Sequence, residues 1–189
     1  MQFVTSSTYR RAPIFSTPSR RELFVEAFRA VRSKLDFPLI GWVLMPEHFH
    51  LLFQPWPAQS TSNILKELKQ RSARAILERL RGQPDLASCR AALRSFRLPP
   101  TVHDQAHYRV WQRRFVSFNV YPEEKCLQKL DYMHNSPVKR GLVASPGDWP
   151  WSSWRFYYLN DTSVLEMDRL GRRRAENNAP EAAVQCGAR

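Results

Sequence analysis

Residues 41–53 have the sequence GWVLMPEHFHLLF, and the rest of the chain is best understood from this stretch. Two apolar runs rich in aromatic and β-branched residues flank Pro46-Glu47, a pair typical of a tight turn, so the sequence predicts a buried hairpin. Its second strand begins at His48. Because side chains alternate along a strand, His48 and His50 point to one face and Phe49 to the other. Two such imidazoles are well placed to bind one divalent metal, although ordinary half-buried histidines at a sheet face are the alternative.

The composition indicates a packed, strongly basic protein. The 189 residues include 29 Lys and Arg against 17 Asp and Glu, a net charge of +12, and 43% are hydrophobic. Such a charge attracts polyanions, of which nucleic acid is the commonest. The sequence has no long apolar span of the kind that would predict a membrane partner. No apolar signal-peptide core follows Met1. The three cysteines, Cys89, Cys126 and Cys186, are scattered and show no paired spacing. We therefore expect a cytoplasmic, nucleoid-associated protein.

The first half of the chain alternates between strand and helix patterns. Residues 2–15 suit a first strand with a basic edge, and Ser19 and Glu22 have the spacing of a capping box. Apolar residues at helical spacing then predict a helix to about Asp36. After the hairpin, a second apolar stripe predicts a helix over 62–81.

The second half is less regular. Residues 82–107 are expected to form a long loop, with a short helix around 87–95. Strand character returns over 108–120, and the aromatic-dense segment 148–154 is expected to pack onto the body as a cap. We predict one domain over residues 1–160 and a basic, disordered tail over 161–189.

Basic residues concentrate in three places: beside the first strand, on the second helix, and among the aromatics of 108–120. On the helix few acids interleave, which favours a phosphate-binding surface over a merely solvated face. Interleaved Trp111, Phe115 and Phe118 suit base contacts, and core packing is an equal alternative. With the basic residues of the last predicted helix and the turn after it, the predicted DNA-binding residues are Arg10, Arg11, Lys66, Lys69, Arg71, Arg74, Arg113, Arg114, Lys129, Lys139 and Arg140.

A helix is predicted from Pro122 to about Ser136, where Pro137 should end it. Its apolar residues form one stripe, and at about 100° per residue Tyr132 falls roughly opposite that stripe. A surface tyrosine packed on a lysine stem is one interpretation. The other is a nucleophile, which a metal or a basic neighbour would have to activate because a phenol has a pKa of about 10. Gln128 or Ser136 could then reach toward a metal held by the histidines.

Four stretches in order resemble the HUH single-strand endonucleases, in particular the single-tyrosine transposases of insertion sequences and their REP-associated relatives. They are 45–52 (MPEHFHLL), 110–115 (VWQRRF), 130–143 (LDYMHNSPVKRGLV) and 148–153 (DWPWSS). The resemblance implies an α+β, ferredoxin-like domain with a central antiparallel sheet flanked by helices. It also implies single-stranded or hairpin DNA as the partner of a monomer or homodimer.

The resemblance further implies a chemistry. His48 and His50 match the metal ligands, with Mg²⁺ or Mn²⁺ polarising the scissile phosphate. Tyr132 matches the nucleophile, which forms a 5′-phosphotyrosine link and frees a 3′-OH, so that nicked strands can be rejoined without ATP.

The chain departs from the family at Ser136, where similar sequences usually have Asn. Serine is a shorter and poorer ligand, so Asn135, Gln128 or water are the alternatives for the third metal position. This departure keeps open a second function, a nucleic-acid-binding module on the same fold with weak or no activity. A metal hydrolase of small phosphoesters would fit the histidines but not the charge of +12.

Overall fold

The computed structural model describes residues 1–83, 87–99 and 108–170. Its centre is a four-stranded sheet in which every neighbouring pair is antiparallel and the order is β2-β3-β1-β4. The strands are β1 (Gln2–Ser7), β2 (Leu39–Leu44), β3 (His48–Phe53) and β4 (Val116–Asn119). The predicted hairpin is confirmed, and its second strand begins at His48.

Helices cover both faces of this sheet. They are α1 (Pro18–Leu35), α2 (Thr61–Arg81), α3 (Ala87–Phe96), α4 (Glu123–Lys139) and α5 (Trp154–Leu159). Helices α1 and α2 pack against each other on one face, while α4 lies against β2 and β3 on the other. The order β1-α1-β2-β3-α2-β4 is the ferredoxin-like arrangement. The predicted α+β, ferredoxin-like fold is thus confirmed, with α4 added on the opposite face.

Alternation along β3 divides its side chains between the two layers. Phe49, Leu51 and Phe53 are buried in the core beneath α1 and α2, whereas Leu52 belongs to the core beneath α4. His50 precedes Leu52 by two positions and therefore lies on the α4 side. Alternation thus groups the histidines with Leu52, and the packing of α4 covers that face.

Gly41 allows α4 to approach the sheet closely. A Cβ at this position would lie 2.5 Å from Leu130 Cδ2 and 2.5 Å from Met133 Cε, so the ends of these two α4 side chains would have to move. The glycine thus lets Leu130 and Met133, which flank Tyr132 in sequence, pack directly on β2.

The aromatic segment packs onto the body, as predicted, and the structure places it along the outer edge of β2. The Leu44 N–H donates to the Trp151 carbonyl at 2.9 Å, and the Ser153 N–H donates to the Trp42 carbonyl at 2.9 Å. The indole of Trp149 is buried and donates to the Leu44 carbonyl at 3.0 Å. This edge of the sheet is therefore covered.

Three local predictions are wrong. Helix α1 begins at Pro18 with Thr17 as its N-cap, so Ser19 lies inside the helix and does not cap it. Helix α4 continues through Pro137 to Lys139, because the fixed φ of proline suits a helix and the missing N–H leaves one carbonyl unbonded near the helix end. Between 108 and 120 only four residues form a strand, since the preceding Trp111 turns into the core beneath α1.

The packed domain extends beyond residue 160, the boundary predicted from the sequence. Leu165 and Met167 are buried in the core. Asp168 is also buried, forms an ion pair with Arg32, and accepts the Leu39 N–H at 2.9 Å. Residues 171–189, the remainder of the predicted tail, lie outside the described residues. No helix in the described ranges is long and apolar enough to cross a membrane.

An Asp168→Ala variant is expected to lower the free energy of unfolding by about 3–5 kcal/mol, because it leaves the buried Arg32 guanidinium without its carboxylate. Urea unfolding followed by tryptophan fluorescence measures the loss. Asp161→Ala is the matched control, since that carboxylate is half-buried and its ion pair with Arg155 is long, at 3.9 Å. Equal stability of the two variants would contradict this account of the segment.

Candidate active site

The two histidines of β3 form a close pair beneath α4. Their Nε2 atoms are 3.2 Å apart, and both side chains are almost fully buried. The Nδ1 atom of His50 bonds to the Thr5 hydroxyl at 2.7 Å, and the Nδ1 atom of His48 bonds to the Glu47 carboxylate at 3.1 Å. The outer nitrogen of each ring is thus held, and the inner nitrogens face each other.

This geometry fits a shared divalent cation. Two nitrogens that bind one ion at about 2.1 Å, at neighbouring positions, lie roughly 3.0–3.4 Å from each other. Hydrogen bonds from the outer nitrogens to Thr5 and Glu47 would fix the ring orientation and tautomer, as in many metal sites. Burial is the main reason that the pKa of His48 is lowered and that the pKa of His50 falls to about 3. Both rings are therefore neutral at pH 7, the state that binds metal.

The possible third ligands have other partners within α4. The Ser136 hydroxyl donates to the Tyr132 carbonyl at 2.6 Å, and the Asn135 amide donates to the Asp131 carbonyl at 2.9 Å. Gln128 bonds to Glu124 and Lys125 on the exposed side of the helix. Within the described ranges, no group of three or more His, Cys, Asp and Glu side chains could hold a metal. Each of these candidates is thus held by its own helix, and the third metal ligand stays a prediction.

Helix α4 brings Tyr132 to the histidine pair. The Tyr132 ring centroid is 5.4 Å from that of His50, with the planes at 67°, and 6.3 Å from that of Phe3. Phe3 in turn stacks on His50 at 5.5 Å. The Tyr132 side chain is 46% exposed, so an extended strand can reach it from solvent. As predicted, the Tyr132 ring therefore packs on the face of the sheet that carries the two histidines.

Positive charge surrounds this cluster. After burial and the opposing effect of Glu47, Arg140 and Arg11 further lower the pKa of His48, and Lys129 lowers that of His50. Arg140 also forms an ion pair with Glu47 at 2.9 Å, which joins the end of α4 to the hairpin turn. Lys139 Nζ lies 5.9 Å from the Tyr132 ring centroid. A phosphate placed at this site would meet cations from several directions.

Other predicted DNA-binding residues lie in the opposite layer. Lys66, Lys69 and Arg113 line a cavity of about 360 Å³ between α2 and the segment before β4. The Lys69 ammonium bonds to the carbonyls of Gln112 and Arg113, so it holds that segment in place. The remaining predicted residues are all exposed: Arg10 beside Tyr9, Arg71 paired with Glu67 at 3.2 Å, Arg74, and Arg114 just before β4.

The aromatics of this segment divide between the two expected roles. Trp111 is buried and donates its indole N–H to the Ser72 hydroxyl at 3.0 Å, and Phe115 packs against the same core. Phe118 is 54% exposed. Core packing is thus correct for the first two, and Phe118 alone remains available for a ligand.

Sequence reasoning missed Thr5, Glu47 and Phe3, which contact the histidine pair. Phe3 and Thr5 are ordinary strand residues whose role depends on the register Thr5–His50 between β1 and β3. Glu47 was assigned only to the turn, although its position before His48 was a usable signal.

His134, also missed, is buried under α5. Its Nε2 atom lies 2.9 Å from the Ser153 hydroxyl, and burial lowers its pKa to about 4. In the unfolded chain the imidazole takes up a proton below about pH 6.5, so falling pH favours unfolding. We expect this histidine to cost about 3 kcal/mol of stability between pH 6.5 and pH 4.

The measurement is the free energy of unfolding against pH, in chelator, for the native protein and His134→Gln. The variant should lose less stability than the native protein as the pH falls to 4. His50 and His48 titrate in both proteins, so the difference isolates His134. Parallel curves would contradict the assignment.

The chain is similar to several known proteins. The family model described as "Transposase IS200 like" matches residues 1–87. A Haemophilus influenzae protein described as a REP-associated tyrosine transposase is 26% identical over 135 residues, which cover 69% of this chain and 66% of that protein. The REP-associated tyrosine transposase of Escherichia coli is 22% identical over 153 residues, 80% of this chain and 74% of its own length.

A solved structure supports the fold. The REP-associated tyrosine transposase bound to a REP hairpin superposes with a TM-score of 0.61 at 21% identity, over 90% of this chain and 85% of that one. Together these matches confirm the resemblance indicated by the sequence motifs: the chain is similar to the IS200-like transposases and to the REP-associated tyrosine transposases.

Proposed function

We propose that this protein is a metal-dependent transesterase that nicks and rejoins single-stranded DNA at hairpins or repeats. The observation that carries the proposal is the edge contact between the Tyr132 ring, on α4, and the His50 ring, on β3, whose centroids are 5.4 Å apart. Two separate elements thereby place a nucleophile candidate and a metal-ligand candidate at one exposed, positively charged site. The related proteins described as transposases support the same reaction class.

In the proposed step, the Tyr132 hydroxyl oxygen attacks the scissile phosphorus and the bond from phosphorus to the 3′ oxygen breaks. The phenol loses its proton, and the leaving 3′ oxygen gains one. The new phosphotyrosine remains a phosphodiester, so a 3′-OH can attack it and restore the strand. Lys139, whose Nζ lies 5.9 Å from the Tyr132 ring centroid, would attract the phosphate that the phenol attacks.

His48 and His50 would hold the cation, with Thr5 and Glu47 orienting their rings. When bound, Mg²⁺ or Mn²⁺ supplies a Lewis acid for the scissile phosphate. Arg11, Arg140 and Lys129 would attract and orient the DNA backbone around that phosphate.

Hairpin DNA is the substrate class that we infer. The solved relative is bound to a REP hairpin, and this chain shares its fold. The net charge of +12 suits a polyanion, and the half-exposed Tyr132 is accessible to an extended strand.

The test is incubation of end-labelled hairpin DNA with single-stranded flanks in Mn²⁺. A covalent protein–DNA adduct that survives denaturation is expected, and EDTA should prevent it. Equal amounts of adduct with and without EDTA would contradict the role of the metal.

A binding module without turnover is the second candidate. The observation that favours it is Ser136, whose hydroxyl bonds to its own helix at the position where the family resemblance implies an amide ligand. Hairpin binding that EDTA leaves unchanged, together with no adduct in any divalent metal, would favour this second function.

A further inference from the structure

The edge strand β4 carries two exposed apolar side chains beside the candidate active site. Val116 is 53% exposed and Phe118 is 54% exposed. The register pairs Val116 with Thr5 and Phe118 with Phe3, and directly paired residues share a face of the sheet. Thr5 is itself paired with His50, so this face of β4 continues the surface that holds the histidines.

The Lys129 ammonium lies between the exposed strand and the candidate active site. Lys129 Nζ is 4.9 Å from the Phe3 ring centroid and 5.9 Å from that of Phe118. Phe3 in turn has its centroid 6.3 Å from that of Tyr132. A continuous surface thus runs from the phenol of α4 across Phe3 and Lys129 to Phe118.

We propose that Phe118 and Val116 form a platform on which a base next to the scissile phosphate stacks, while Lys129 contacts the intervening backbone phosphate. This inference rests on the proposed function and names a subsite for it. An exposed aromatic ring next to a cation suits single-stranded nucleic acid, whose bases stack and whose phosphates are anionic.

Charge argues against a second copy of the chain as the occupant. Two copies that met through this face would bring their Lys129 side chains together, and each chain carries a net charge of +12. The strand is also only four residues long, which offers little backbone for pairing at the sheet edge. A polyanionic strand meets neither obstacle.

The test uses hairpins in which 2-aminopurine replaces each base of the single-stranded flank in turn. The protein carries Tyr132→Phe so that no strand is cut. Stacking on Phe118 should quench the fluorescence at one or two flank positions. Phe118→Leu should remove that quenching and weaken binding at least about fivefold, because it keeps an apolar group but loses the ring. Phe118→Trp should retain both properties.

Tyr158→Leu is the matched control, since Tyr158 is a similarly exposed aromatic on α5, at 60%. It should leave binding and quenching unchanged. Unaltered affinity and quenching in Phe118→Leu would overturn the platform. So would a dimer in sedimentation experiments that Phe118→Leu dissociates, because the face would then join two copies. Neither binding nor quenching requires cleavage, so these two measurements decide the platform by themselves. Absence of an adduct in the native protein would overturn the proposed function only.

Discussion

A Tyr132→Phe variant is expected to form no covalent complex with DNA, while it binds the same hairpin with the affinity of the native protein. Phenylalanine keeps the ring edge that contacts His50 and Phe3 and removes only the oxygen that would attack phosphorus. Because the side chain is 46% exposed, the fold should tolerate the change. Denaturing electrophoresis of labelled hairpin measures the adduct, and anisotropy measures binding.

Tyr158→Phe is the control for this experiment. It removes a hydroxyl from an exposed tyrosine on α5 that stacks on Trp154, and it should form adduct at the native level. An undiminished adduct in Tyr132→Phe would show that another residue is the nucleophile.

A His50→Ala variant is expected to bind Mn²⁺ at least about a hundredfold more weakly and to lose adduct formation to the same degree. Loss of an outer-shell partner alone typically costs 10–100-fold in metal affinity, so loss of one of two imidazole ligands should cost no less. Titration calorimetry with Mn²⁺ alone gives the affinity without any DNA.

His134→Gln provides the matched control, because it alters another buried histidine that bonds to Ser153 instead of facing the metal site. Its Mn²⁺ affinity should equal that of the native protein. Native affinity in His50→Ala, with His134→Gln unchanged, would contradict the assignment of the metal ligands.

The hairpin and the shared face of His48 and His50 could be predicted because they depend on local rules. Strand alternation and a Pro-Glu turn suffice to give them. The position of Tyr132 off the apolar stripe follows in the same way from helical periodicity. These local patterns, with the family resemblance, were enough to predict that the tyrosine and the histidines lie close together.

The partners of individual charged and aromatic side chains could not be predicted, because they depend on how distant segments pack. Lys69 lies on a basic helix face, yet its ammonium bonds to the carbonyls of Gln112 and Arg113. Trp111 and Phe118 occur in the same pattern, but one fills the core and the other remains exposed. Asp168 lay in a segment assigned to the tail, since its partner Arg32 is 136 positions away.

The central claim is that a phenol on α4 and two imidazoles on β3 act together on one phosphate. Peptide mapping of the denatured adduct by mass spectrometry tests it most directly, after nuclease trimming of the DNA. We predict a nucleotide joined through its 5′ phosphate to Tyr132, formed in Mn²⁺ and absent in EDTA. A nucleotide on any other residue, or one joined through a 3′ phosphate, would contradict the account.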